Sequence, residues 1–242
     1  MKYKHTLTSK IGLKRVDNED SVGVFEVENG LLAVVCDGLG GNKAGEIASK
    51  LTVDTIHEFF INQEDNDYLV RIEKSIIEAN RIVLEKSSND LELNGMATTA
   101  EVLFLKNDTA YWGHVGDSRI YNFRNNKLKQ LTKDHSLVQK LVDEGYLTLK
   151  EAENHPNKNI IMRALGDSHA VDVDISKLKL GQRDDSKFFI CTDGVTAVLG
   201  DSDLLGLLKL KDIDIISDKV CSLVEERGAP DNYSFVIITK MD

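Results

Sequence analysis

The stretch Leu31-Leu32-Ala33-Val34-Val35-Cys36-Asp37-Gly38-Leu39-Gly40-Gly41 constrains this chain most, because an apolar run ends in one carboxylate set among glycines. A run of that length, bounded by turn signals and rich in Val and Leu, reads as a strand buried on both faces. An acid at the tip of such a strand needs a reason. Gly38, Gly40 and Gly41 leave the backbone free to bend sharply and let another group come close to the peptide itself. A tight strand-to-helix turn with a solvated Asp would account for this stretch taken alone. The same arrangement recurs at Asp193-Gly194, after another apolar run, and that recurrence favours a shared purpose.

Around this strand the patterning alternates between short strands and amphipathic helices. His5, Leu7 and Ser9 alternate in a first strand, residues 11–21 are polar and turn-like, and residues 22–27 form a second strand. Asn29-Gly30 between apolar runs is a strong hairpin signal. A helix is expected from near Lys43 with Ile47, Ala48, Leu51 and Phe59 on one face, and a second through Leu69, Ile72, Ile76, Ala79 and Val83. Residues 98–105, 109–115, 119–123 and 127–131 read as strands, whose short connections demand antiparallel pairing. A short helix at 135–145, a surface excursion at 148–165, a buried strand at 187–192, helices near 203–208 and 213–227 and a last strand at 233–239 complete the chain. Hairpin-linked strands interleaved with helix pairs indicate an α+β fold, antiparallel sheet covered by helices, rather than a doubly wound parallel sheet. With two prolines and no linker or repeat, residues 1–242 are expected to form a single domain.

A formal charge of −10 argues against nonspecific binding to nucleic acid or anionic membrane. No apolar run reaches signal-peptide or membrane-spanning length, so the protein is expected to be soluble and cytoplasmic. Three cysteines form no Cys-x-x-Cys pair, which argues against a disulfide framework or a zinc site. Cys221 and Arg227 match the Cys-x5-Arg spacing of cysteine phosphatases, but Ile213, Ile216, Val220 and Leu223 put them on an amphipathic helix. That chemistry needs a loop of free N–H groups instead. His57, His114 and His169 have no metal-ligand spacing.

Asp37, Asp193 and Asp231 each lie at the end or start of an apolar strand, and Asp117 sits in the turn after Gly113-His114-Val115-Gly116. If those strand ends share one rim, the acids meet. Two carboxylates about 4 Å apart repel by on the order of 4 kcal/mol at an effective dielectric near 20, so a gathered set needs counter-cations. Oxygen donors without Cys or His partners select a hard metal, Mg²⁺ or Mn²⁺, with Ca²⁺ as an inhibitory lookalike. A pair of such ions would lower the pKa of a bridging water and neutralise phosphoryl oxygens. Arg15 then becomes a candidate phosphate clamp, since a guanidinium meets two phosphate oxygens in a planar fork.

Read in order, Arg15-x-x-Asn18-Glu19-Asp20-Ser21, Cys36-Asp37-Gly38-Leu39-Gly40-Gly41, Gly45-Glu46-x-Ala48-Ser49, Gly95-Met96-Ala97-Thr98-Thr99, Gly113-His114-Val115-Gly116-Asp117-Ser118-Arg119, Leu131-Thr132-x-Asp134-His135-Ser136, Arg163-Ala164-Leu165-Gly166, Thr192-Asp193-Gly194 and Asp231-Asn232 resemble the metal-dependent serine/threonine protein phosphatases of the PPM type (type 2C). The compact bacterial members are the most similar. The resemblance implies a central β-sandwich of two antiparallel sheets flanked by pairs of helices, with a dinuclear Mn or Mg centre at one edge. It implies that Asp37 bridges the ions, that Gly38 lends its carbonyl to one, and that Asp193 and Asp231 complete the other. Glu19 and Asp20 would hold metal-bound waters. Asp117 with Asp193 would hold a third, weaker ion, and Arg15 would bind the substrate phosphate.

The segment of about 139–165 is similar to the family's flap. The implied reaction is hydrolysis of phosphoserine and phosphothreonine by direct attack of the bridging water, with no covalent enzyme intermediate. Implied partners are phosphorylated proteins, among them a serine/threonine kinase and its substrates, with the phosphatase acting as a monomer. Some relatives carry a histidine in or just after the Asp-Gly-x-Gly-Gly loop; here Leu39 and Asn42 stand there, which leaves the proton donor to the leaving alcohol open. A metal-dependent phosphodiesterase or nuclease shares this chemistry, but the acidic surface and lack of basic tracts speak against it. A scaffold without activity is disfavoured by the complete set of acids.

Overall fold

A computed structural model describes residues 3–40, 44–63, 65, 67–181 and 186–241. The chain runs β1 (Tyr3–Lys10), β2 (Ser21–Val27), β3 (Gly30–Cys36), β4 (Gly38–Leu39), α1 (Ala44–Asn62), α2 (Tyr68–Asn89), β5 (Ala97–Thr98), β6 (Ala100–Lys106), β7 (Thr109–Val115), β8 (Arg119–Arg124) and β9 (Lys127–Gln130). It continues with α3 (Leu137–Asp143), α4 (Leu149–Glu153), β10 (Asp174–Lys179), β11 (Lys187–Cys191), α5 (Asp193–Thr196), α6 (Asp201–Leu208), α7 (Ile213–Glu226) and β12 (Tyr233–Lys240). Two five-stranded sheets result, ordered β1-β12-β11-β8-β9 and β10-β7-β6-β3-β2, with β4 and β5 as a separate ribbon. Every pairing is antiparallel.

β3 explains the layering. All of its residues are buried, and the alternation of a strand sends successive side chains to opposite faces. Leu31, Ala33 and Val35 meet Ile190, Val236 and Ile238 of the other sheet, which makes the sandwich core. Leu32, Val34 and Cys36 turn outward onto Ile56 and Phe60 of α1 and Ile72 and Ile76 of α2. On the far side, Tyr121, Phe189 and Phe235 are covered by Leu204 and Leu208 of α6 and Ile216 and Val220 of α7. Cys221 lies buried within α7, as the helical reading of its spacing requires.

Three details differ from the pattern read in the sequence. The β2–β3 turn is Glu28-Asn29, one residue earlier than Asn-Gly, because Val27 pairs with Gly30. Both turn residues take positive φ, 50° and 61°, the mirror-type turn that matches strand twist. α1 buries Ala48, Thr52, Ile56 and Phe60, leaving Phe59 only half-covered; its expected start at Lys43 lies outside the described residues.

The residues between β7 and β8, Gly116-Asp117-Ser118, do not turn within a sheet but carry the chain from one sheet to the other. Asp117 therefore sits at the rim where both sheets end. Among the described residues, no helix is long and apolar enough to cross a membrane.

Candidate active site

Asp37 follows β3 directly, where the ladder ends and β4 begins. Its N–H donates to Thr99 Oγ1 at 2.9 Å, and its carbonyl accepts from Thr98 Oγ1 at 2.8 Å and from Thr99 N–H at 2.9 Å. The turn from strand to ribbon is thus clamped by two threonines. Gly38 is required by space: a Cβ there would lie 2.3 Å from both Glu19 O and Gly45 O. Gly45, in the first turn of α1, offers its N–H to the Glu19 carboxylate, an anion placed where a helix N-terminus favours one.

Asp193 opens α5 at the end of β11, and Asp231 precedes β12. The two loops touch so closely that a Cβ on Gly194 would fall 1.8 Å from Asn232 O. Asp231 accepts from Arg15 Nη2 at 2.7 Å and from Asn232 N–H at 2.8 Å. Arg15, Glu19, Asp37, Gly38, Asp193 and Asp231 line one cavity of about 550 Å³. Asn159 and Ile161 reach the same cavity from the excursion that follows α4. Acids from four separate segments converge there, as the strand-end reading requires.

Asp20 and Asp117 do not line the cavity but lie buried close to it. Asp20 Oδ2 accepts from Thr192 Oγ1 at 2.9 Å. Burial, reinforced by Asp193 and Asp231, raises its pKa to about 7 despite that bond. Asp117 is also pushed up to about 7 by burial and by Asp193.

Asp37 is raised well above the carboxylate range by burial and by Asp20, Asp193 and Asp117, and Asp193 is raised by burial and by Asp231. Asp37 and Asp193 stand within hydrogen-bonding reach of each other. Burial raises Glu19 as well, against the pull of Arg15. The cause is common: acids gathered away from water resist ionisation together.

A sequence profile of the family described as protein phosphatase 2C matches residues 14–229. The chain belongs to the protein phosphatase 2C family. Its sequence is 32% identical over 237 residues to the serine/threonine phosphatase stp of Listeria welshimeri, a match covering 95% of this chain and 92% of that protein. The fold of this 2C-type chain superposes on serine/threonine phosphatase Stp1 from Staphylococcus aureus with a TM-score of 0.93 at 29% identity, over 100% of this chain and 96% of the other. It is similar too to the catalytic domain of the serine/threonine protein phosphatase PstP solved with two manganese ions. That match has a TM-score of 0.88 at 29% identity and covers 99% of both chains.

The donor set of this 2C-type cavity fits hard divalent ions. Its candidate ligands are oxygens, and Oδ1 of Asp20 and of Asp117 are buried without any hydrogen-bond partner. Among the described residues no three acids, histidines or cysteines close on one point. Asp231 is turned instead to Arg15, whose guanidinium takes up its charge, and Asp37 stands beside Asp193.

Nothing in the local pattern of Gly95-Met96-Ala97-Thr98-Thr99 points to the clamp that Thr98 and Thr99 form on Asp37. Nor does the sequence assign a role to Asn232, whose side chain binds the Arg15 loop. Asn42, one of the two positions left open for a proton donor, lies outside the described residues, and Leu39 lines the cavity without a labile proton.

Proposed function

We propose that this 2C-type chain is a protein serine/threonine phosphatase that hydrolyses phosphoserine and phosphothreonine at a pair of Mn²⁺ or Mg²⁺ ions. The observation that carries the reading is the convergence of Asp37, Asp193, Asp231 and Arg15 on one cavity. Asp37, the Gly38 carbonyl, Asp193 and Asp231 would hold those ions. Glu19 and Asp20 would hold water beside them, and Asp117 with Asp193 would hold a third ion more weakly. Ions bound there activate water as a nucleophile at neutral pH and offset phosphoryl charge.

The protein's own residues do the rest. Arg15 is about half exposed, and its pair with the one-third-exposed Asp231 is a surface ion pair worth roughly 0–1 kcal/mol. A phosphate dianion can therefore draw the guanidinium away cheaply and hold it in a bidentate fork. The cavity of about 550 Å³ admits a phosphorylated side chain. Asn159 and Ile161 bring the flap, about 139–165, against that substrate. The leaving alcohol takes its proton from solvent around the site, since Leu39 has none to give.

A cytoplasmic monomer of one domain, residues 1–242, opposing a serine/threonine kinase on shared phosphoproteins, is the setting this reading implies. The acidic surface favours protein over nucleic-acid substrates.

Purified protein with Mn²⁺ and a phosphothreonine peptide is expected to release phosphate, and chelation to stop it. Asp231→Asn is expected to lose at least about 100-fold in kcat while keeping its melting temperature within a few degrees, in line with removal of a charged group acting on the reaction. Full turnover in that variant would remove Asp231 from the centre. Cleavage of a phosphodiester or of DNA in place of the phosphopeptide would favour the nuclease reading.

A further inference from the structure

Asn232 is nearly inaccessible and makes more directed bonds across the site than any acid there. Its Oδ1 accepts from Glu19 N–H at 3.0 Å, and its Nδ2 donates to Ile11 O at 2.9 Å and to Asp17 O at 2.8 Å. All three partners lie in residues 11–20, the loop that carries Arg15. Its own main-chain N–H donates to Asp231 Oδ1 at 2.8 Å. A single amide thus grips the loop on both sides of Arg15 while its backbone steadies the neighbouring acid.

The loop's other holds sit at its two ends. Leu13 N–H donates to Ala229 O at 2.9 Å and Asn18 Nδ2 to Ser9 Oγ at 2.8 Å, while Ser49 Oγ donates to Glu19 O at 2.6 Å and Thr192 Oγ1 to Asp20 Oδ2 at 2.9 Å, so Asn232 is the side chain that bonds on both sides of Arg15. Gly12, at φ 79°, sits so near the Asp231 carbonyl that a Cβ would lie 2.1 Å from its oxygen. The loop therefore rests directly on the peptide of Asp231, and the Asn232 side chain fixes its height there. Among the described residues the Arg15 side chain hydrogen-bonds Asp231 alone, in a surface pair that a substrate phosphate must break. Once that happens, the backbone of residues 11–20 alone decides where the guanidinium sits.

We propose that Asn232 is the positioning residue for phosphate capture, holding the Arg15 loop at a fixed distance from Asp231 so that guanidinium and metal-side acid face one phosphate together. This rests on the assignment of Arg15 to the phosphate and of Asp231 to the ions. An alanine at 232 leaves Glu19 N–H and two carbonyls without partners. Asp231 keeps its place through the contact between Gly194 and the main chain of residue 232, which does not depend on the side chain. Substrate capture should therefore fall more than metal loading.

The test is a double-mutant cycle on the full chain with Mn²⁺ and a phosphothreonine peptide, using Arg15→Ala, Asn232→Ala and the pair. Asn232→Ala is expected to raise KM about 10-fold, with kcat and the Mn²⁺ half-saturation changed less than about 2-fold. In the Arg15→Ala background the same change should raise KM by less than about 2-fold, because the residue acts through Arg15. An equal rise in both backgrounds, or a shift in Mn²⁺ half-saturation as large as that in KM, overturns the proposal. An unchanged KM in Arg15→Ala alone overturns the assignment of Arg15, a separate failure, and takes the proposal with it.

Amide exchange on the metal-free protein supplies a readout without turnover: Glu19 and Leu13 N–H should exchange faster in Asn232→Ala, and unchanged protection would count against the grip. Should that variant fail to fold, Asn232→Asp retains the bond from Glu19 and loses both donors. It is then carried through the same cycle, with a KM rise confined to the Arg15 background expected and equal effects in both overturning.

Discussion

Asp37 owes its position to residues far along the chain. Thr98 and Thr99 contribute two hydroxyl bonds and one N–H bond to its main chain, and Thr99 Oγ1 also meets Ser118 Oγ at 3.0 Å beside Asp117. Partners that orient a ligating group are commonly worth 10–100-fold in metal affinity. Thr99→Val keeps the shape and removes the hydroxyl, leaving a buried N–H unpaired at a cost of about 1–3 kcal/mol. The expected result is a weakened Mn²⁺ half-saturation, by about 10-fold or more, with a lower melting temperature. A calorimetric titration with Mn²⁺ decides it, and native affinity in this variant would show that the Asp37 peptide needs no threonine.

At this scale the sequence was informative about the acids, because a carboxylate ending an apolar run violates the pattern around it. It was silent about Asn232, since an Asn before a strand is an ordinary residue and its partners lie 213–221 positions away.

Among elements, the flap is held at its base by main-chain bonds and by one charged side chain, Arg163. Arg163 Nη1 donates to Asp174 Oδ1 at 2.9 Å and to Asp172 O at 3.0 Å, so the end of the excursion is moored to the edge strand β10. β10 was not foreseen. Only Ile175 and Leu178 are apolar in Asp174–Lys179, and an edge strand facing water needs no continuous apolar signal. The interior strands β3 and β11, buried on both faces, could be read to within a residue or two for the opposite reason.

The same contrast applies within the flap. Thr148 and Glu151 form a capping box for α4, a local signal lost in a stretch without apolar period. Arg163→Ala is expected to free the flap: amide exchange across residues 148–165 should quicken, and kcat/KM should change by more than about 3-fold while Mn²⁺ affinity holds. The half-exposed bond is worth roughly 1 kcal/mol, so global stability should fall no further than that. Unaltered exchange would mean that Leu137 N–H on Ile160 O and Met162 N–H on His135 O suffice as moorings.

The whole molecule is a sandwich with charge sealed inside it, and that has a pH signature. Glu101 and His114 stand opposite each other on β6 and β7, both inaccessible, with Oε1 2.5 Å from Nδ1. His114 Nε2 donates to Lys133 O at 2.8 Å, so the proton on the other nitrogen is the one shared with Glu101. Burial raises Glu101 to about 7, even against the pull of His114. Burial works to lower His114, but the Glu101 carboxylate outweighs it and the net shift is upward.

Both shifts have the same sign for stability. The Glu101 contribution is complete below the unfolded carboxylate value near 4.5 and is lost as pH rises through about 7. That of His114 is complete below about 6.5 and is lost above its raised value. His135, held down at about 4 first by burial, acts oppositely, subtracting stability as pH falls below about 6.5. A window above that value sets His135 aside; Asp20 and Asp117, also raised to about 7, titrate within it, so the pair shows as the difference between parent and a Glu101 variant.

Metal-free protein is therefore expected to lose stability between about pH 6.5 and pH 8.5. Glu101→Gln cannot ionise there, and its urea midpoint should fall less than the parent's over that window, since Asp20 and Asp117 titrate near 7 in both. The two midpoints, measured at both ends, decide the matter. If variant and parent decline in parallel, the buried proton responsible belongs to Asp20 or Asp117 at the rim and not to the pair between the sheets.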